Sequence, residues 1–256
     1  MNDAVLFEQK EMTAILTLNR PKANQLSHNV INGLTMLLDK CESDNSVRVI
    51  IISAAGGKVF CGGADLSEGF GDLDPVDFLK RGQDLFNRIA DFQKPVIAAI
   101  NGHALGGGCE LALACHLRVL KRGARIGLTE TNLGIIPGYG GTLRLPKLIG
   151  ETKAIEYILL GRQIEAERAI ELGLVNRICK EGDTLTEALE LADELAGRPP
   201  LAVRAVLKIM SNAHSFDRET HMRTERIELA KLFGTKDMIE GISAFAQKRK
   251  PVFKGE

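Results

Sequence analysis

Two short runs dominated by apolar and β-branched residues, Val47–Ser53 and Val96–Ile100, are separated by a stretch of helical periodicity from about Val76 to Phe92. Runs of that length without polar alternation suit strands buried on both faces, the condition inside a parallel sheet. The order strand, helix, strand, helix is the rhythm of an α/β fold. A third unit follows, with a helix from about Gly107 to Cys115, a strand near Leu117–Leu120 and another at Arg125–Leu128. Ahead of these, Val5–Phe7 and Thr13–Leu18 read as an antiparallel hairpin around a polar turn, Glu8–Glu11. Ser27 is placed to cap a helix running to about Cys41, because Val30, Ile31, Leu34, Leu37 and Leu38 recur at helical spacing.

Beyond Gly141 helical periodicity dominates, through Leu148, Ala154–Leu160, Ala166–Leu172, Leu185–Ala196 and Ala202–Met210. Only Leu174–Ile178 reads as a strand there, and Arg198-Pro199-Pro200 breaks the pattern. These signals divide the chain into a core over 1–195 and a helical module over 196–256. At 256 residues and 45% hydrophobic content, one main domain with an appendage is the expected scale.

Lys plus Arg and Asp plus Glu both number 33, so no global basic field points to nucleic acid. The polar N-terminus and the absence of any long apolar run predict no signal core and no membrane span. Five scattered cysteines, Cys41, Cys61, Cys109, Cys115 and Cys179, form no CxxC pair and read as reduced thiols of a cytoplasmic protein. Neither they nor the five histidines show the spacing of a metal site.

Chemistry is suggested by four segments. Phe60-Cys61-Gly62-Gly63-Ala64-Asp65-Leu66 follows the Val47–Ser53 strand, and its glycines allow backbone amides close approach to a ligand. Asn101-Gly102-His103-Ala104-Leu105-Gly106-Gly107-Gly108-Cys109-Glu110 leaves the Val96–Ile100 strand and enters a helix, whose first N–H groups are unpaired and partly positive. Two such loops can each offer one N–H to one oxygen, an oxyanion hole, in which each donor is worth about 3 kcal/mol. As a plain alternative, these glycines only make turns. Glu110 lies one helical turn past Gly107, on its face, where a carboxylate is also favoured simply by the helix dipole. Glu130, in the loop Gly127-Leu128-Thr129-Glu130-Thr131-Asn132-Leu133-Gly134, supplies a second carboxylate for acid–base work. The turn Gly138-Tyr139-Gly140-Gly141 follows, with Tyr139 a candidate lining residue. His103 and His116 flank the catalytic-helix candidate and are read as packed or solvated rather than as bases.

Together these segments, from Leu18-Asn19-Arg20-Pro21-Lys22-Ala23 to Phe245-Ala246-Gln247-Lys248-Arg249-Lys250, resemble the enoyl-CoA hydratase/isomerase (crotonase) family. The resemblance implies a spiral of repeated β-β-α units with a helical C-terminal trimerisation module, and a trimer or dimer of trimers. It implies an oxyanion hole from the N–H groups of Ala64 and Gly107, with Glu110 and Glu130 acting on water and on a proton at Cα. Retention of both carboxylates favours hydration of an enoyl thioester, a step of fatty-acid β-oxidation, over double-bond isomerisation. By the same resemblance Lys22, Ala23, Gly62, Asp65, Leu66, Phe245 and Lys248 surround the substrate or its nucleotide, Asp65 mainly by shaping its loop. Coenzyme A is part of the substrate, and no separate cofactor is expected. Thr129 stands where relatives commonly carry proline, a departure that bears on how Glu130 approaches, although threonine accepts extended backbone. Leu66–Leu79, with Phe70, Gly71 and Pro75, is expected as a mobile segment governing the acyl group. Other acyl-CoA reactions on the same scaffold, such as isomerisation, thioester hydrolysis or decarboxylation, remain open at this point. So does an RNA-associating role, which the neutral composition disfavours.

Overall fold

A computed structural model describes residues 4–69, 73–179, 183–211, 213 and 216–256. The opening hairpin pairs β1 (Val5–Lys10) with β2 (Thr13–Leu18) in antiparallel register, Val5 opposite Leu18 and Lys10 opposite Thr13. The turn is tighter than the polar run suggested. Glu8, Gln9 and Lys10 stay in the ladder with exposed side chains, and the reversal falls at Glu11 with φ 49°. Strand β2 then runs parallel to β3 (Val49–Ala54), Thr13 opposite Val49, and β3 runs parallel to β5 (Val96–Ile100). The sheet is completed by β7 (Leu117–Lys121) and β10 (Arg177–Cys179), in the order β1-β2-β3-β5-β7-β10. Every residue of β3 and β5 is buried, as expected for strands covered on both faces. The final strand lies later than the expected Leu174–Ile178. Leu174 instead bonds back to the Ala169 carbonyl, in the turn after the helix Ala166–Glu171.

A second sheet is absent from the sequence reading. It contains β4 (Val59–Cys61), β6 (His103–Leu105), β8 (Arg125–Gly127) and β9 (Ile164–Glu165), in that order. Only β8 was expected, as Arg125–Leu128; the other three have two or three residues each, too few for a period to register. The arrangement corrects the origin of the glycine loops. They leave the carboxyl ends of β4 and β6, parallel neighbours in the small sheet, and not of β3 and β5. Strands β3, β5 and β7 are thus each followed by a short strand in the other sheet before the next helical segment, the repeated β-β-α spiral.

Helix α1 (His28–Ser43) is capped by Ser27, whose Oγ accepts the Val30 N–H at 3.2 Å. Helix α2 (Pro75–Ala90) begins with Asp74 as cap and Pro75 in its first turn. Part of the expected loop at 66–79 is therefore helix; Phe70 and Gly71 lie outside the described residues. Helix α3 (Gly107–Ala114) is buried along its whole length, so it lacks an amphipathic signature. Next come α4 (Gly141–Ile149), α5 (Glu151–Leu159), α6 (Ala166–Glu171) and α7 (Thr184–Ala196). Ala188, Ala192 and Ala196 of α7 seat on Val49, Ile51, Ile97, Ala99 and Val119, one face of the large sheet. The other face packs on α1 through Val30, Leu34 and Leu38 and on α2 through Leu85, Phe86 and Ile89. Helices α8 (Pro200–Ser211), α9 (Arg218–Ala230) and α10 (Lys236–Ala246) close the chain. Among the described residues, no helix is long and apolar enough to cross a membrane, and no three His, Cys, Asp or Glu side chains gather as a metal set.

Candidate active site

The two glycine loops meet because their strands are hydrogen-bonded neighbours. A Cβ built on Gly107 would stand 3.3 Å from the Ala64 amide nitrogen, and one built on Gly63 would stand 3.4 Å from the Gly107 nitrogen. Neither the Ala64 nor the Gly107 N–H has an acceptor among the described residues. Gly106, with φ 54°, turns the chain so that Gly107 starts α3 with its N–H free. On the other loop, Gly63 carries φ 108° and its carbonyl accepts from Leu26, which ties Ala64 to the segment before α1.

Asp65 shapes its loop, as expected. Buried at 4% exposure, it pairs with Arg20 and accepts from the Ser67 N–H and hydroxyl at 3.0 and 2.6 Å. The Ser67 bonds and the Arg20 guanidinium hold its carboxyl below the usual range. Gly62 donates to the Ala23 carbonyl at 2.9 Å and sits under the Ala23 methyl, so the Ala23 segment flanks the same loop. Lys22 beside it is exposed and makes no ion pair among the described residues, and Leu66 is 63% exposed.

Glu110 and Glu130 are both buried, at 1% and 8% exposure, but in different surroundings. Glu110 Oε1 accepts two backbone N–H bonds, from Tyr139 and Gly141, each 2.7 Å. Burial raises the Glu110 carboxyl above its ordinary value, against those N–H groups and the Arg144 charge, which favour the anion. Glu130 opens a short 3₁₀ turn (Glu130–Leu133), its Oε1 3.3 Å from where a Gly106 Cβ would lie. Its Oε2 is buried without a partner among the described residues. Burial pushes this carboxyl up to about 7; local backbone hydrogen bonds oppose that, and the charge of Glu110 adds to it. Thr129 is not extended. Its φ of −106° and ψ of 8° make it the cap of the 3₁₀ turn, and that φ lies outside the range a proline ring allows.

Tyr139 is buried with its ring edge-on to Phe86 at 5.4 Å and its Cδ2 3.4 Å from the Gly107 Cβ position. The ring fills the side-chain space left by Gly82 of α2. Arg144 went unrecognised in the sequence. It donates to the Tyr139 carbonyl at 2.8 Å and to Asn87 at 2.6 Å, so it holds the turn that in turn holds Glu110. Its only sequence signal was a cation among the apolar residues of α4. His103 and His116 are structural: their Nδ1 atoms accept from the N–H groups of Arg125 and Val96, and burial pushes His116 down to about 4. Phe245, 86% exposed, and Lys248 stand at the end of α10, with no hydrogen bond or ion pair to the loops of Ala64 and Gly107 among the described residues.

Fold and site together define an α/β protein that gathers two buried carboxylates and two free backbone amides at one place. That equipment suits acid–base chemistry next to a carbonyl whose oxygen gains charge. The chain belongs to the enoyl-CoA hydratase/isomerase family, whose model matches residues 8–256. It is 42% identical over 258 residues to a Bacillus subtilis protein named "Probable enoyl-CoA hydratase", covering 99% of this chain and 100% of that one. It is 40% identical to the human mitochondrial methylglutaconyl-CoA hydratase, covering 98% and 76% of the two chains. A crystal structure of enoyl-CoA hydratase from Bacillus anthracis superposes with a TM-score of 0.94 at 39% identity, covering 99% and 100%.

Proposed function

We propose that the chain is an enoyl-CoA hydratase, adding water reversibly across the 2,3 double bond of a 2-enoyl-CoA to give a 3-hydroxyacyl-CoA. The observation that carries this reading is the inequality of the two carboxylates. Burial raises both, but two N–H groups favour the Glu110 anion against it, whereas Glu130 has an oxygen without a partner among the described residues and a carboxyl pushed up to about 7. A carboxylate whose anion is held by N–H groups and a neighbouring one without such support form a base and an acid.

In this scheme the thioester carbonyl oxygen accepts from the N–H groups of Ala64 and Gly107. Glu110 takes a proton from water as the water oxygen bonds to Cβ, and the double-bond electrons move toward the carbonyl as an enolate. Collapse of the enolate takes the Glu130 proton at Cα. Water has then supplied the hydroxyl, Glu130 the hydrogen, and transfer of the proton on Glu110 to Glu130 restores both groups. The steps use side chains, amides and water, with coenzyme A entering as part of the substrate.

Lys22 and Ala23 stand beside the loop of Ala64, which supports a place for the nucleotide there; a lysine meets a phosphate as a compact charge. Phe245 and Lys248 make no hydrogen bond or ion pair to that loop among the described residues, and we assign them to a neighbouring subunit's substrate. The exposed apolar residues Met210, Ile227, Leu229, Phe233, Ile239 and Ile242 support a trimer or dimer of trimers built on residues 196–256. The five cysteines, none in a disulfide among the described residues, are consistent with a reducing cytoplasm. Short linear enoyl groups are the assigned substrates.

The test is loss of enoyl-thioester absorbance on adding crotonyl-CoA to purified protein. We expect rapid loss in the wild type, and a fall in kcat of about 10²- to 10⁴-fold in Glu110→Gln and in Glu130→Gln. Absence of any loss with short, long and cyclic enoyl-CoAs would overturn the reading in favour of another acyl-CoA reaction.

A further inference from the structure

The amino ends of the parallel strands β3 and β5 border a cavity of about 360 Å³. It lies between the start of β3, the start of β5, the α7–α8 junction and the C-terminal residues Lys254–Glu256. Five cations line it, Arg48, Lys94, Arg198, Arg204 and Lys254, and Glu256 is the only acidic side chain among the lining residues. That carboxylate is already engaged, 2.6 Å from the ammonium of Lys236.

The two inner cations are half-buried and satisfied only by neutral carbonyls. Arg48 donates to Ala196 and Phe253 at 2.9 and 2.7 Å, and Lys94 donates to Cys41 and Asp44 backbone oxygens at 2.6 and 2.7 Å. Neither forms a salt bridge among the described residues. Burial holds the Lys94 ammonium below its usual value; Cys41, Asp44 and Glu42 oppose that shift, and the charge of Arg204 adds to it. The rim arginines Arg198 and Arg204 are exposed and have no side-chain hydrogen bond or ion pair among the described residues. Carbonyl dipoles satisfy donors but do not neutralise charge, so the pocket keeps a net positive potential in a concave, partly desolvated place. Two guanidinium forks with free donors match the planar, multi-oxygen geometry of phosphate.

We propose that this cavity is an anion-binding site, separate from the catalytic centre, for a small phosphate-bearing molecule. Its volume falls at the small end of ligand sites, suited to a phosphate or diphosphate with a compact organic group. Arg48 joins the last carbonyl of α7 to the C-terminal segment, so a ligand here bridges the sheet, the α7–α8 junction and the chain's end.

The probe is inorganic pyrophosphate, titrated by calorimetry and by thermal shift into the intact protein at fixed ionic strength, with sodium chloride as control. The substrate's own phosphates can draw pyrophosphate to Lys22, so Lys22→Gln is titrated in parallel. The expected result is saturable binding, one per chain, retained in Lys22→Gln and weakened at least about tenfold in Arg198→Gln/Arg204→Gln. Crotonyl-CoA turnover and the ligand-free melting temperature of the double variant should match the wild type. No saturable binding, binding unchanged in the double variant, or binding lost in Lys22→Gln alone would overturn the proposal. None of these results depends on whether the catalysed reaction is hydration.

Discussion

Replacing Glu130 by Gln should stabilise the protein in alkaline solution and not in acid. The side chain is 8% exposed, and its carboxyl is raised from an ordinary 4.5 to about 7. Below 4.5 it is protonated in both folded and unfolded chains and costs nothing. Between 4.5 and 7 the unfolded chain releases a proton that the folded one keeps, so stability falls as pH rises; above 7 the penalty is complete and constant. At about 1.4 kcal/mol for each tenfold change in proton affinity, the full penalty is about 3 kcal/mol. For a chain of this size, that corresponds to roughly 6–12 °C in melting temperature. Glutamine keeps the shape without the charge, and any cost of its buried amide is the same at every pH. Melting curves of wild type and Glu130→Gln at pH 4.5, 6 and 8, at one protein concentration, isolate the effect. The variant's advantage should grow with pH by several degrees, mostly between pH 5 and 7. A gap that stays constant within about 1 °C across that range would refute the reasoning.

Other consequences are equally direct. Arg144→Met removes the donors that hold the Tyr139 carbonyl and Asn87, so the turn binding Glu110 loosens; kcat for crotonyl-CoA should fall about tenfold or more with KM changed little. Gly108→Ala drives a methyl into the Cys61 backbone carbonyl, which cannot yield without parting α3 from β4; soluble yield and melting temperature should both drop, with a loss above about 3 kcal/mol. Asp65→Asn loses the charge paired with Arg20. Because that carboxyl is held low in the fold, its stabilisation is present above pH 4 and disappears as pH falls, so wild type and variant should converge in melting temperature in acid.

What the sequence disclosed depended on length and on burial. Val96–Ile100 was located to the residue because five consecutive buried apolar positions leave one interpretation. Ser27 announced α1 because a cap acts within three residues of itself. The small sheet stayed hidden, since Val59–Cys61 and His103–Leu105 are shorter than any period they could display. The candidate glutamates were visible as residue types near glycine loops, but what distinguishes them was not. Glu110 meets the amides of Tyr139 and Gly141 across 29 and 31 residues of chain, and Glu130 meets none at Oε2. Thr129 shows the same limit: its identity raised a question that only its backbone angles answered.

The hydrogen-bonded pairing of β4 with β6 has an evolutionary corollary. The amides of Ala64 and Gly107 follow the ends of two adjacent strands of one sheet, while α2, with Val76 and Leu79 exposed, is a separate element. Substitutions on the exposed face of that helix leave the pairing of β4 with β6, and with it the spacing of the two amides, untouched. Freedom to vary on that face and constraint at the two amides are carried by separate pieces of backbone.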